Sequence, residues 1–293
     1  LKRSACLVIA SILLFSFIMI APVSAISELA LPSPVTPMKY DDADVESPAD
    51  SLAKPLEKPV KPGPDPTAGK WAVVIGIADY YGRTNDLWNP DEDAKEMYSE
   101  LVNQRGYPAA NVKLMTNRAA TASAILSAIS WLVTNEKAGN EVVFFFSGHG
   151  FRAADSEDWD SDEESDGYDE GIVSYDLYGL PDGYLKEKFA GVESTRFALL
   201  FGSCHSGGMF DDGDDLQQTG RIIASACKAD QYGWDYLTLG NTLWGYHFVD
   251  SGLLDNNANS IETAHAYAYP LVVAMQKDSQ PQLYDGVSGD FTL

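Results

Sequence analysis

The sequence predicts an α/β protein built on a doubly wound, mostly parallel sheet. Three observations lead there. Residues 71–77, 141–146 and 197–201 are nearly continuous apolar runs, the mark of strands buried on both faces. The stretches between the first three predicted strands read as helices, giving a β-α-β-α-β order. Two of the strands end in short segments that place a reactive side chain between small residues, Ser147-Gly148-His149-Gly150 and Gly202-Ser203-Cys204-His205-Ser206-Gly207-Gly208.

Not all of the 293 residues are core material. Lys2 and Arg3 precede an apolar run over 7–20, and Ala21-Pro22-Val23-Ser24-Ala25 follows, which fits a signal peptide over 1–25. The run is shorter than the roughly 20 residues that span a bilayer, so cleavage is expected rather than retention as an anchor, and with it a secreted or cell-surface location and no stable membrane span. Cys6 leaves with the signal. Residues 26–69 are rich in Pro without any apolar period and read as a linker, with a propeptide as the alternative. The catalytic unit is expected over 70–293.

Within that unit the first strand, 71–77, leads to Pro90-Asp91-Glu92-Asp93, a helix start with acids in its first turn. This helix is expected to run to about Gln104, with Gly106 ending it. A short strand at 112–115 precedes an amphipathic helix over 121–132, opened by Thr121 as N-cap. The third strand, 141–146, delivers His149. A polar insertion separates it from the fourth strand, 197–201, and the fifth, 221–226. The last helical pattern covers 261–276, interrupted at Pro270.

The charge balance is acidic, with a formal net charge of −23 and a pI near 4.3. It argues against nucleic acid or an anionic lipid surface as a partner and favours protein or peptide substrates. Only Cys204 and Cys227 remain after signal removal, too few for a disulfide framework.

In open α/β sheets, sites lie beyond the carboxyl ends of the strands. His149 and Cys204 both stand there. A thiol of ordinary pKa is mostly protonated at neutral pH, so a nucleophilic cysteine needs a positioned base, and His149 can serve if its strand neighbours that of Cys204. The imidazole would then protonate the leaving amine, and the amides of Gly150 and Cys204 would form an oxyanion hole. Two rival readings use the same residues. One is a zinc site from Cys204, His205, Cys227 and His149, which lacks any short Cys-x-x-Cys or His-x-x-x-His spacing. The other is a Cys204–Cys227 disulfide, which would silence the nucleophile.

With these motifs in order, the sequence resembles the caspase-like cysteine peptidases, and specifically the metacaspases and their prokaryotic relatives. The resemblance rests on the strand over 71–77, Asn89-Pro90-Asp91-Glu92-Asp93-Ala94, the two reactive segments, and Ser225-Ala226-Cys227-Lys228-Ala229-Asp230-Gln231. It implies a caspase-like fold and a cysteine endopeptidase with His149 as base and Cys204 as nucleophile. It also implies a substrate pocket involving Asp93 and Ser147 and selective for Arg or Lys. Gly202 stands where the family has a second pocket Asp, a departure that weakens this selectivity. Asp93 read without the family is a solvated acid at a helix start.

Residues 155–170 pack carboxylates densely, and the resemblance implies calcium activation through Asp169, Glu170 and Asp211. Hard oxygen ligands in a loop suit Ca²⁺, although no EF-hand loop is completed. The alternative is a solvated charge run. The expected protein is a monomeric, exported peptidase. An inactive caspase-like module that binds calcium or a partner, and a ligase using the same thioester, are the other functions considered.

Overall fold

The computed structural model describes residues 69–154, 167–211, 215–256 and 258–293. The signal and linker expectations for 1–68 and most of the acid-dense insertion lie outside the described residues. A six-stranded sheet forms the centre, in the order β11-β8-β7-β3-β1-β2. Its strands are β1 (Lys70–Gly76), β2 (Val112–Thr116), β3 (Glu141–Ser147), β7 (Phe197–Gly202), β8 (Arg221–Ser225) and β11 (Gln282–Asp285). All neighbours pair in parallel except β11, which runs antiparallel to β8 and closes one edge. The predicted fold class holds.

Both faces of the sheet are covered, which is why its strands read as continuous apolar runs. On one face Trp71, Val73, Ile75, Phe144, Phe146, Leu199 and Phe201 pack under α2 (Ala122–Asn135) and α3 (Asp182–Phe189). On the other, Ala72, Val74, Phe145, Ala198 and Leu200 pack under three helices. These are α1 (Pro90–Ser99), continued by a π-helical stretch Glu100–Gln104, the short α4 (Leu243–Gly245), continued over Tyr246–Asp255, and α5 (Ile261–Met275). Thr121 caps α2 as expected, its side chain accepting from the Ala124 amide.

Helix α5 runs unbroken through Pro270, against the interruption expected from the sequence. Pro270 and Ala266, four residues before it, are both exposed, so the carbonyl that loses its intrahelical donor can bond to water. The insertion between β3 and β7 also holds more structure than its polarity suggested. There β4 (Gly150–Ala154), β5 (Tyr168–Val173) and β6 (Gly179–Pro181) form a three-stranded antiparallel sheet. A two-stranded ribbon, β9 (Asp235–Tyr236) with β10 (Asn241–Thr242), follows β8.

From β1 the chain passes to β2 on one side, and β3 then returns to the other side. The strand order therefore reverses between β1 and β3, which opens a crevice at their carboxyl ends. Gly76 ends β1 there, and a Cβ on it would lie 2.3 Å from the Pro90 carbonyl oxygen, so only glycine lets α1 start this close to the sheet.

Phe144 is fully buried and meets the rings of Phe189 and Phe201 with centroid separations of 5.1 and 6.1 Å. Phe144→Ala is expected to lower unfolding free energy by about 3–5 kcal/mol in urea titrations, and a loss below about 1 kcal/mol would contradict the packing described.

Candidate active site

The register of β3 against β7 sets Ser147 opposite Gly202. Two residues further along each chain stand His149 and Cys204. The Gly148 amide donates to the Gly202 carbonyl at 3.3 Å, which keeps the two strands joined as they leave the sheet. Gly150 then passes so near the nucleophile that a Cβ on it would lie 2.1 Å from the Cys204 carbonyl oxygen. Gly150 thus lets the two segments approach each other.

His149 is held on three sides. Its Nε2 lies 2.8 Å from the Asn85 carbonyl oxygen. A carbonyl can only accept, so Nε2 carries the proton and Nδ1 is left as the basic nitrogen. Its backbone N–H donates to the Tyr80 hydroxyl at 2.7 Å, and the two rings tilt together with centroids 4.7 Å apart. Tyr80 fits because Gly148 has no side chain; a Cβ there would be 2.5 Å from the hydroxyl oxygen. Burial pushes the imidazole pKa below its usual 6.5, with the Asn85 carbonyl and the charges of Asp235 and Asp86 pulling the other way.

Cys204 is partly exposed and its thiol points toward the Gly233 carbonyl oxygen, 3.6 Å away. Burial raises its pKa, and the hydrogen bond to Gly233 opposes this. Both shifts favour the neutral forms of the two side chains. His205, immediately after the nucleophile, adopts φ 59°, a left-handed conformation rare for a non-glycine residue. Its amide donates to the Gln231 carbonyl at 3.0 Å and its Nδ1 lies 2.7 Å from the Ala229 carbonyl, so the turn that presents the thiol is fixed by the segment after β8.

The arrangement also suits the expected oxyanion hole. The His149 carbonyl accepts from the Val173 amide at 3.0 Å, so in the antiparallel β4–β5 pairing Gly150, one residue on, directs its own N–H away from β5. The Cys204 amide is left uncovered by Gly233, whose Cβ position would be 3.3 Å from that nitrogen. Tyr80, Asn85 and Gly233 were not singled out from the sequence. Asn85 acts through its backbone carbonyl, which no residue pattern announces.

The rival cysteine readings are corrected by the geometry. Cys204 and Cys227 are both free thiols, and Cys227 is buried with a pKa pushed up to about 12. Among the described residues no three His, Cys, Asp or Glu side chains stand close enough to share a metal ion.

Asp93 is not a solvated helix-start acid. It is fully buried and accepts hydrogen bonds from Ser147 Oγ at 2.6 Å, Thr242 Oγ1 at 2.7 Å, and Asn241 Nδ2 and the Thr242 amide at 3.1 Å each. Ser147, the other expected pocket residue, is thus bound to Asp93. A side chain at Gly202, where the second carboxylate is missing, would crowd its neighbours: a Cβ there would be 3.1 Å from Ser147 Oγ and 3.3 Å from the Trp244 ring.

Of the expected calcium ligands, Asp169 and Glu170 are buried on β5, and Glu170 is paired with Arg152 Nε at 2.7 Å. Asp211 is exposed and lines an open cleft of about 570 Å³ with Arg152, Gly207, Lys228 and Asp230. Neither His149 nor Cys204 lines that cleft. Among the described residues these three acids do not gather into a group of three metal-ligating side chains.

Residues 70–212 match the family described as metacaspase, peptidase C14 domain. Over these residues the chain is similar to the metacaspases. Metacaspase-1 of Scheffersomyces stipitis is 33% identical over 153 residues, covering 48% of this chain and 37% of that protein. Metacaspase-7 of Arabidopsis thaliana is 30% identical over 149 residues, covering 49% and 36%. Metacaspase-1B of Neurospora crassa is 27% identical over 237 residues, covering 71% and 53%. The chain thus spans between about a third and a half of the length of these relatives. Protein GSU0716 from Geobacter sulfurreducens, a solved structure, shares the fold with a TM-score of 0.56 at 19% identity, over 75% of this chain and 94% of that one. Among the described residues no helix is long and apolar enough to cross a membrane.

Since the base works only when neutral and burial lowers its pKa, the acid limb of any Cys204-dependent reaction is expected below pH 6.5, read from kcat/KM between pH 4 and 8. An acid limb above that value would show that His149 is not held as described.

Proposed function

We propose that the protein is a cysteine endopeptidase in which Cys204 attacks the scissile carbonyl and His149 moves the proton. This reading is supported by the pairing of the two strands that end in these residues, in the register that sets Ser147 opposite Gly202, and by the bond that ties His149 Nε2 to the Asn85 carbonyl. As Cys204 Sγ bonds to the carbonyl carbon, its proton passes to Nδ1. The carbonyl oxygen becomes an oxyanion facing the amides of Gly150 and Cys204. Collapse breaks the C–N bond, the imidazolium gives its proton to the leaving amine, and a thioester remains. Water, deprotonated by the same imidazole, attacks the thioester and regenerates the thiol. Gly233, whose carbonyl faces Cys204, is placed to accept from a substrate backbone N–H laid along the 231–234 segment.

Selection of Arg or Lys before the scissile bond needs a carboxylate open to the substrate. Asp93 is occupied by its own hydrogen bonds and Gly202 brings no acid, which weakens a preference for Arg or Lys, while Asp235 and Asp86 lie near enough to act on His149 by charge. Calcium enters it as an activator of the acid-dense segment 155–170, supported by the density of carboxylates there. Export is supported by the apolar segment over 7–20 and the small residues after it.

Incubating the protein and its Cys204→Ala variant with a peptide library, and mapping products by mass spectrometry, is expected to show internal cuts with the first and none with the second. Labelling of Cys204 without any cleavage would favour the inactive binding module, and products joined to an added amine would favour a ligase. Calcium is expected to raise the cleavage rate over that in EDTA; equal rates in both would remove calcium from the reading.

A further inference from the structure

Resting on the peptidase reading above, we propose that Trp88, Tyr232 and Trp234 form an aromatic subsite for an apolar or aromatic substrate side chain, the one just before the residue whose carbonyl Cys204 attacks. Among the described residues nine large hydrophobic side chains are exposed, and five of them lie in two short segments. Tyr81 and Trp88 belong to 81–88, and Tyr232, Trp234 and Leu237 to 232–237. Each segment carries one of the carbonyls that touch the reactive pair, Asn85 against His149 and Gly233 against Cys204. Single exposed apolar residues are ordinary on a protein surface, whereas a cluster of them bordering a reactive cleft marks a binding surface.

The two segments are joined. The Trp88 amide donates to Asp235 Oδ2 at 2.5 Å and Asn89 Nδ2 donates to Oδ1 at 2.7 Å, which sets Trp88, 61% exposed, beside the residue that follows Trp234. Within the second segment the backbone carbonyls alternate as in an extended chain: those of Gln231 and Gly233 face His205 and Cys204, and that of Trp234 accepts from the Leu243 amide. A Cβ on Gly233 would lie 3.1 Å from the Ser203 carbonyl carbon and 3.3 Å from the Cys204 nitrogen, so this position faces the reactive turn. Its neighbours Tyr232 and Trp234 therefore share the other face, where they are 53% and 41% exposed. Tyr232 is steadied by the His205 ring, with centroids 5.1 Å apart.

A substrate laid along this segment sets the attacked residue against Gly233. Its leaving amine lies toward His149, which protonates it, so the chain on the amino side of the scissile bond runs along 232–234. Side chains alternate in an extended peptide, and the residue before the attacked one turns to the face that Tyr232 and Trp234 occupy. An aromatic ring there stacks or meets these rings edge to face and removes exposed apolar surface from water. An acidic side chain is disfavoured in the same place by the nearby charges of Asp86 and Asp235.

The test uses peptide mixtures that vary freely at the attacked residue and are fixed just before it as Phe, Leu, Ala or Asp. They are given to the protein, to Trp234→Ala and Trp88→Ala, and to Tyr269→Ala, an exposed aromatic on α5. Initial rates are expected to be about tenfold higher on the Phe mixture than on the Ala mixture, with the Asp mixture slowest. Trp234→Ala and Trp88→Ala are expected to bring the Phe mixture down to the level of the Ala mixture, whereas Tyr269→Ala keeps the ranking. Equal rates on all mixtures, or a loss in Trp234→Ala shared by every mixture, would overturn the proposal. Calorimetric binding of the same mixtures to Cys204→Ala, with and without Trp234→Ala, supplies a readout without turnover. Roughly tenfold tighter binding of the Phe mixture that Trp234→Ala abolishes, with no cleavage by the unaltered protein, would sink the peptidase reading and leave the subsite standing. Cleavage without preference would do the reverse, and no preference in either readout would overturn the subsite.

Discussion

The parallel pairing of β3 with β7, in the register that sets Ser147 opposite Gly202, is the constraint on which the site depends. It places His149 and Cys204 at equal distances beyond the sheet, and the contact of Gly150 with the Cys204 carbonyl holds them there. A slip of one residue would turn each side chain to the opposite face, so register and chemistry are inseparable. The apolar faces enforce this register. Phe144 and Phe146 face α2 and α3 while Val143 and Phe145 face α1 and α5, and a slip of one residue would exchange the two sets.

Around this pair the protein uses backbone groups more than side chains. The base is oriented by a carbonyl from Asn85, its amide is tied by Tyr80, and the thiol is faced by a carbonyl from Gly233. Such groups are rigid because the loops that carry them are fixed elsewhere, by Asp93 and Asp235 on one side and by the three-stranded sheet β4–β6 on the other. The left-handed His205 is part of the same economy: its strained turn is held by two hydrogen bonds to the segment after β8.

The acidic character has two physical origins that the net charge does not separate. Some carboxylates are structural and buried: Asp93 among four donors, Glu170 against Arg152, and Glu100 with Arg105. Others, such as Asp211, border the solvent. Buried acids persist only where donors or cations compensate them, and each marks a place where separate parts of the chain meet.

Much of the sheet was legible in the sequence because its strands are buried on both faces and therefore apolar throughout. The glycine-flanked His149 and Cys204 were legible too, since reactive residues at strand ends leave a local pattern. The short strands β4–β6, β9 and β10 were not, because they are stabilised by pairing with distant partners rather than by an apolar period of their own. Pro270 misled for a related reason: a helix bears a proline more easily where the freed carbonyl can reach water, and exposure is a tertiary property. The sequence by itself determined which residues could react and in what fold. Only the tertiary structure decided how they are used. It chose the tautomer of His149 by placing the Asn85 carbonyl, and it closed Asp93 by bringing Asn241, 148 residues away, onto its carboxylate. Hydrogen-bond partners so far apart in the chain are set by packing, which no local pattern encodes.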